Sequence, residues 1–234
     1  MVLDIGVFYH ELEVAAKITA IVFCLVFAAY FWNRSRGADL KSAHIMFLGQ
    51  GLFVFCFGMT RIFFLIADYF RIEPEFASIV LEPNEFLNLL FWKISSLIGI
   101  LAIMFLLFVI ETYLVKSKYI FTLIALAGLI VALILPDINQ ARLATYIAMP
   151  IALIGVIALY TYLFFKGSGE IRKKAGLSLD GFIIFGVGVI LDTNIGKNLF
   201  ATWFHLDPIW QLGWLPMVLM IVGLALYTYY NIKE

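Results

Sequence analysis

Charge is what this chain of 234 residues has least of: only 14% of it is Asp, Glu, Lys or Arg, about half the share of an ordinary water-soluble domain. With 64% of the residues apolar and a mean hydropathy of +1.01, a soluble globular domain is excluded and a membrane protein is indicated. A spanning helix takes about 20 apolar residues. The length is then consumed by roughly seven or eight spans, with no room for a separate kinase, protease or DNA-binding module. Basic and acidic residues balance at 16 each, so no excess of positive charge points to nucleic acid. Cysteine is nearly absent too. Cys24 and Cys56 lie inside apolar runs, where they read as small packing residues rather than a disulfide framework. His10, His44 and His205 have no metal-ligand spacing, and no P-loop, nucleophile elbow or HExxH is present. The expectation is a chain with no catalytic residue, no metal and no cofactor. Asp4, Glu11 and Glu13 precede the first apolar run where a signal peptide would carry basic residues, so no cleavable signal is expected.

What is abundant is long apolar sequence. Seven apolar segments occupy about 13–33, 43–70, 85–115, 119–135, 143–165, 176–203 and 209–230. Period-2 alternation is missing, and in a bilayer the backbone must satisfy its own hydrogen bonds, so each segment is expected to be a helix. The predicted fold is all-α: one polytopic seven-transmembrane-helix bundle over residues 1–234. The connections alternate in charge. One set holds Arg34, Arg36, Lys41, Lys116, Lys118, Lys166, Arg172, Lys173, Lys174 and Lys233. The other holds Glu73, Glu75, Glu82, Asp137 and Asp207, with Arg71 and Arg142 as its basic members. The positive-inside rule makes the first set cytoplasmic, which puts the N-terminus outside and the C-terminus inside the cell membrane. Trp and Tyr gather at both ends of the segments, as interfacial anchors do. Pro150 and Pro216 fall early in spans five and seven and are expected to kink them.

Sliding the chain by 132 positions brings Arg34, Gly37, Lys41, Ala43, Gly49 and Phe53 onto Lys166, Gly169, Lys173, Ala175, Gly181 and Phe185. Two readings stand: parallel repeats of spans one to three and five to seven with span four as linker, or coincidence in a restricted membrane alphabet.

An ionisable side chain deep in a span costs about 2.5 to 3.5 kcal/mol on insertion scales, so such groups face the bundle interior and are candidates for function. At 100° per residue, Gln50, Arg61 and Asp68 share one line of span two, and Lys93, Ser96, Ile100, Met104 and Glu111 share one of span three. Span six carries the polar run Asp192, Thr193, Asn194, Lys197 and Asn198. Depth along the helices places Arg61, Lys93 and Asp192 roughly 12 to 17 Å below the outer surface. A ligand-binding cluster of Arg61, Lys93, Asp192, Asn194 and Lys197 is therefore expected, with net charge about +2 and with Asp68 and Glu85 at its mouth. The competing reading is a structural ion-pair knot. Asp192-Thr-Asn-Ile-Gly196 has low helix propensity and predicts an unwound turn. Glu111, near Lys116, reads as a neutralised charge or a proton relay, and the basic stretch Lys166, Arg172, Lys173 and Lys174 as a surface for a partner or anionic lipid.

The turn Tyr162-Leu-Phe-Phe-Lys-Gly-Ser-Gly-Glu-Ile-Arg-Lys-Lys-Ala175, followed by Gly181 and Asp192, resembles the seven-helix membrane input region found before prokaryotic histidine kinases and other signalling outputs. The likeness in detail covers about 30 residues; the topology covers the chain. It departs from that pattern by ending at Asn231-Ile-Lys-Glu234, where those proteins continue into an output domain. Microbial rhodopsins share the seven-span plan but carry retinal on a lysine of the last span, and Ile209 to Tyr230 contains none. The charged cluster and this resemblance together lead to the expectation of a non-enzymatic sensor or receptor-like module that binds a small polar or anionic ligand in an outward-facing pocket and signals to a separate cytoplasmic or membrane partner, or as a homo-oligomer. A small secondary transporter and a structural subunit of a larger membrane complex are the alternatives.

Overall fold

The computed structural model describes residues 5–70, 84–115, 117–193, 196, 202–203 and 213–232, apart from the side chains of 5–10, 139, 142 and 232. The described residues form seven helices and no strand: α1 Ile5–Arg36, α2 Lys41–Tyr69, α3 Glu85–Tyr113, α4 Ile120–Ile134, α5 Ile138–Lys166, α6 Gly169–Leu191 and α7 Trp214–Ile232. Six are long and apolar enough to cross a bilayer; α4, with 15 residues, is the short one.

The sequence places the sixth span at 176–203 as one segment, whereas the helix runs from Gly169 to Leu191 and is capped by Asp192. The poor helix formers after Leu191 account for the early stop. Thr193 turns its hydroxyl back onto the Ile190 carbonyl (2.6 Å) and takes a hydrogen bond from the Gly196 N–H (3.0 Å), which replaces helical pairing by a local turn. At the other end Gly169, with φ +57°, lets α6 begin inside the charged run, whose exposed Glu170, Arg172 and Lys173 need no apolar partner. Pro216 sits in the first turn of α7, where a missing N–H breaks nothing, so the expected kink has no cause there. Pro150 lies inside α5 and does remove a helical bond.

Consecutive helices pack antiparallel, and α1, α2, α3, α5, α6 and α7 close into a ring, with α4 outside it against α3 and α5. Thus α3 and α5 are parallel neighbours, in contact through Trp92–Tyr146 and Gly99–Met149. Across the middle, α2 meets α6. Phe53 and Phe57 of α2, Phe182 and Phe185 of α6, Tyr160 of α5 and Tyr227 of α7 form one aromatic cluster with centroid separations of 4.8 to 6.3 Å.

This arrangement maps onto itself when α1, α2 and α3 are exchanged for α5, α6 and α7. Glycine seats repeat as well: a Cβ on Gly49 would strike Val109 and approach the Phe105 carbonyl, and one on Gly181 would strike Tyr227 and the Gly223 carbonyl, four residues apart on the partner helix in both cases. The 132-residue echo therefore has a counterpart in packing, with α4 as the element outside both halves.

Candidate functional site

A cavity of about 650 Å³ lies in the half of the ring where α2 and α6 end and α3 and α5 begin. Its walls are mostly apolar, with Phe57, Phe64, Ile103, Met149, Leu153 and Ile190 among them; its polar groups sit on α1, α2, α3, the first half of α5 and the end of α6. The aromatic cluster closes it toward the opposite end, since Phe53 and Phe182 are fully buried and Phe57 and Phe185 line its floor.

Two of the five expected ligand-binding residues meet there. Arg61, 5% exposed, donates from Nη1 to Asp192 Oδ2 at 2.6 Å, an ion pair joining the middle of α2 to the cap of α6. Phe57 and Phe64 flank the guanidinium at 4.8 and 5.3 Å from their ring centroids. Arg61 Nε is buried and has no acceptor. Because α6 stops at this level, eight residues or about 12 Å short of the end of α2, Asp192 faces the cavity from a helix end rather than from mid-span. Asn194 and Lys197 lie outside the described residues.

Lys93 does not join them. It does not line the cavity, and its ammonium donates to the Leu135 carbonyl (2.9 Å) at the C-terminal cap of α4. Glu111, 18 residues further along α3, is buried and accepts from the N–H groups of Phe121 (3.1 Å) and Thr122 (2.8 Å) and the hydroxyls of Thr122 (2.6 Å) and Ser117 (2.5 Å). A carboxylate at the N-terminus of α4 and an ammonium at its C-terminus match both poles of its dipole. Eighteen residues of α3 rise about 27 Å, enough to reach both ends of the 15-residue helix. The two α3 charges that sequence alone marks as binding and relay groups therefore clamp α4. Those four bonds also hold the turn in which Lys118 and Tyr119 adopt left-handed φ of 56° and 61°.

At the mouth, Asp68 lines the cavity as expected, while exposed Glu85, in the first turn of α3, does not. Asp68 is bound to a residue the sequence reading passed over: Lys17 Nζ lies 2.7 Å from Asp68 Oδ2 and 2.8 Å from Glu13 Oε1. A lysine inside the first apolar segment with an acid four residues before it was the available signal. Among the described residues, two cations, Lys17 and Arg61, and three carboxylates, Glu13, Asp68 and Asp192, line the cavity.

A second polar cluster lies beyond the aromatic floor. Gln50 donates to Asn231 Oδ1 (3.0 Å), Asn231 donates to Ser178 Oγ (3.0 Å), and the Tyr160 and Tyr227 hydroxyls meet at 3.3 Å. At that end Lys166, Arg172 and Lys173 are exposed and Lys174 is half-buried, with Arg172 over the Phe164 ring at 5.2 Å. No family model, no curated protein and no solved structure matches this chain.

Proposed function

We propose that this chain is a non-enzymatic, receptor-like sensor of the cell membrane, with seven spans, the N-terminus outside and the C-terminus in the cytoplasm. A small ligand with a polar group occupies the cavity around Arg61 and Asp192, and the resulting change in packing is read by a separate partner, or a second copy, at the basic end. The observation that carries this reading is the closure of the cavity toward the other half of the bundle. The cavity has polar groups at one end and an aromatic floor that seals it from the other half, as suits a site that binds without passing its ligand on. Seven crossings are supported by α3 and α5: they run side by side in one direction, so α4 has to return the chain across the bundle. The exposed Lys166, Arg172 and Lys173 support a cytoplasmic position for that end.

Screening water-soluble and lipid-like compounds by thermal melting in nanodiscs tests the reading. A stabilising compound whose effect depends on Arg61 is expected. A second reading, a small secondary transporter, is favoured by the pairing of α2 with α6 about the centre of a repeated fold. Accumulation of that compound in proteoliposomes would establish the transporter and sink the sensor.

A further inference from the structure

The cavity is open sideways. Ile154 and Pro150 on α5, and Ile183, Val187 and Ile190 on α6, line it and are also exposed on the outside of the bundle, Ile154 at 62% and Ile190 at 57%. Across these residues the cavity runs out through the seam between α5 and α6, and in two helices long and apolar enough to cross a membrane that seam faces hydrocarbon. Pro150, which lines the seam, has no N–H to return to the carbonyl of Tyr146, another lining residue, so α5 is weakened where it borders the opening. From this geometry we infer that the site takes up a single-chain, uncharged amphiphile from the bilayer, its chain lying in the α5–α6 seam and its oxygen-bearing head accepting a hydrogen bond from Arg61 Nε. The inference rests on the reading of this cavity as a ligand site and goes further by naming what enters it and by which route.

Three observations select that chemistry. The apolar wall continues to the outer surface, so an apolar chain stays in contact with side chains and lipid along its whole length, while a wholly polar solute would not. The charges within are already matched, Lys17 to Glu13 and Asp68, and Arg61 to Asp192. Each of these charges already lies in an ion pair, so a charged head could gain a counter-ion only by breaking one. The buried Arg61 Nε has no acceptor, and a turn of the guanidinium into the cavity it lines brings it to an ester or hydroxyl oxygen, which accepts without charge. A cavity of about 650 Å³ lies in the usual range for one small ligand, about 300 to 1,000 Å³.

The test uses the full chain in nanodiscs of a saturated phosphatidylcholine, with monoolein, oleate, oleylamine and glycerol as probes. Melting and native mass spectrometry are the readouts. Monoolein is expected to raise the Tm and remain bound as one copy, with oleate and oleylamine about tenfold weaker and glycerol without effect. Arg61→Lys keeps the charge opposite Asp192 but loses the Nε donor, and should weaken monoolein about three- to tenfold. Ile154→Trp, which narrows the seam on an exposed face, should weaken it without lowering the melting temperature of the free protein. Equal binding of oleate overturns the uncharged head. Stabilisation by glycerol matching that by monoolein overturns the lipid route, yet leaves the cavity a ligand site entered from its mouth. If none of the four probes binds, the inference fails, and the receptor reading stands or falls on the separate screen of water-soluble compounds.

Discussion

Phe53 and Phe185 are 132 positions apart in the chain and touch ring to ring, centroids 6.1 Å apart, at the centre of the bundle. Residues that occupy equivalent places in two parallel halves meet in this way only where the halves face each other across a common axis. One turn further toward the cavity Phe57 packs on Phe185 at 4.8 Å, and a turn beyond that Arg61 reaches Asp192. The ion pair thus continues a stack that begins with aromatic rings. Any ligand that displaces Asp192 acts on the seam between α2 and α6, whose other end is the Gln50, Ser178 and Asn231 network.

The ion pair gives the first prediction. Asp192→Asn leaves a guanidinium that is 5% exposed without its carboxylate and should cost about 2 to 3 kcal/mol, at the lower side of buried pairs because the Asp192 side chain is 20% exposed. Arg61→Gln added to it should recover part of that loss. Melting of the four members of the cycle in nanodiscs checks this, and strict additivity would mean the two groups do not interact.

The second concerns α4. Glu111→Ala removes four hydrogen bonds at its N-terminus and Lys93→Met one at its C-terminus, so the first should cost about 2 kcal/mol or more and the second about 1. Hydrogen exchange should rise in 120–134 in both variants while the aromatic cluster stays protected. Faster exchange spread evenly over the chain would reject the clamp.

How far all this was legible follows from the kind of signal each feature leaves. Long apolar runs give the helices, because chain length and bilayer physics leave one solution, and the helical angle puts Arg61 on an inward face. Lys93 shares the inward stripe of Ser96 on the same reasoning and is nevertheless turned to α4, because a flexible four-carbon stem reaches a neighbour that helical angle ignores. The early stop of α6 was visible in Asp192-Thr-Asn as a weak turn, but its consequence, a helix end at the depth of Arg61, depends on packing. Lys17 is legible in part: its pairing with Glu13 is local, and only the contact with Asp68 needs the fold.

Lys17 supplies the third prediction. It stands between Glu13 and Asp68, so Lys17→Met removes the cation these two carboxylates share and should cost about 1 to 2 kcal/mol, limited by the 41% exposure of the Asp68 side chain. Adding Asp68→Asn should restore most of it. A Lys17→Met protein as stable as the parent would show that the mouth is held by α1–α2 packing alone.

The fourth prediction contrasts two glycines. A Cβ on Gly223 would strike the Phe185 N–H and the Gly181 carbonyl, both backbone atoms of α6, so Gly223→Ala has to push α6 and α7 apart along a seam that also seats Gly181 and Gly188. A cost of about 2 to 4 kcal/mol is expected, as for overpacking that side chains cannot relieve. Gly99 meets only the flexible end of Met149, its Cε at 2.6 Å, and the side chain of Thr60 at 3.5 Å. Met149 can move into the cavity it lines, and alanine gains about 1 kcal/mol of helix propensity over glycine, so Gly99→Ala should fall within about 1 kcal/mol of the parent. Melting of both variants side by side in nanodiscs decides it. A larger loss for Gly99→Ala than for Gly223→Ala would mean that the close α6–α7 contact is not the tight seam of the bundle.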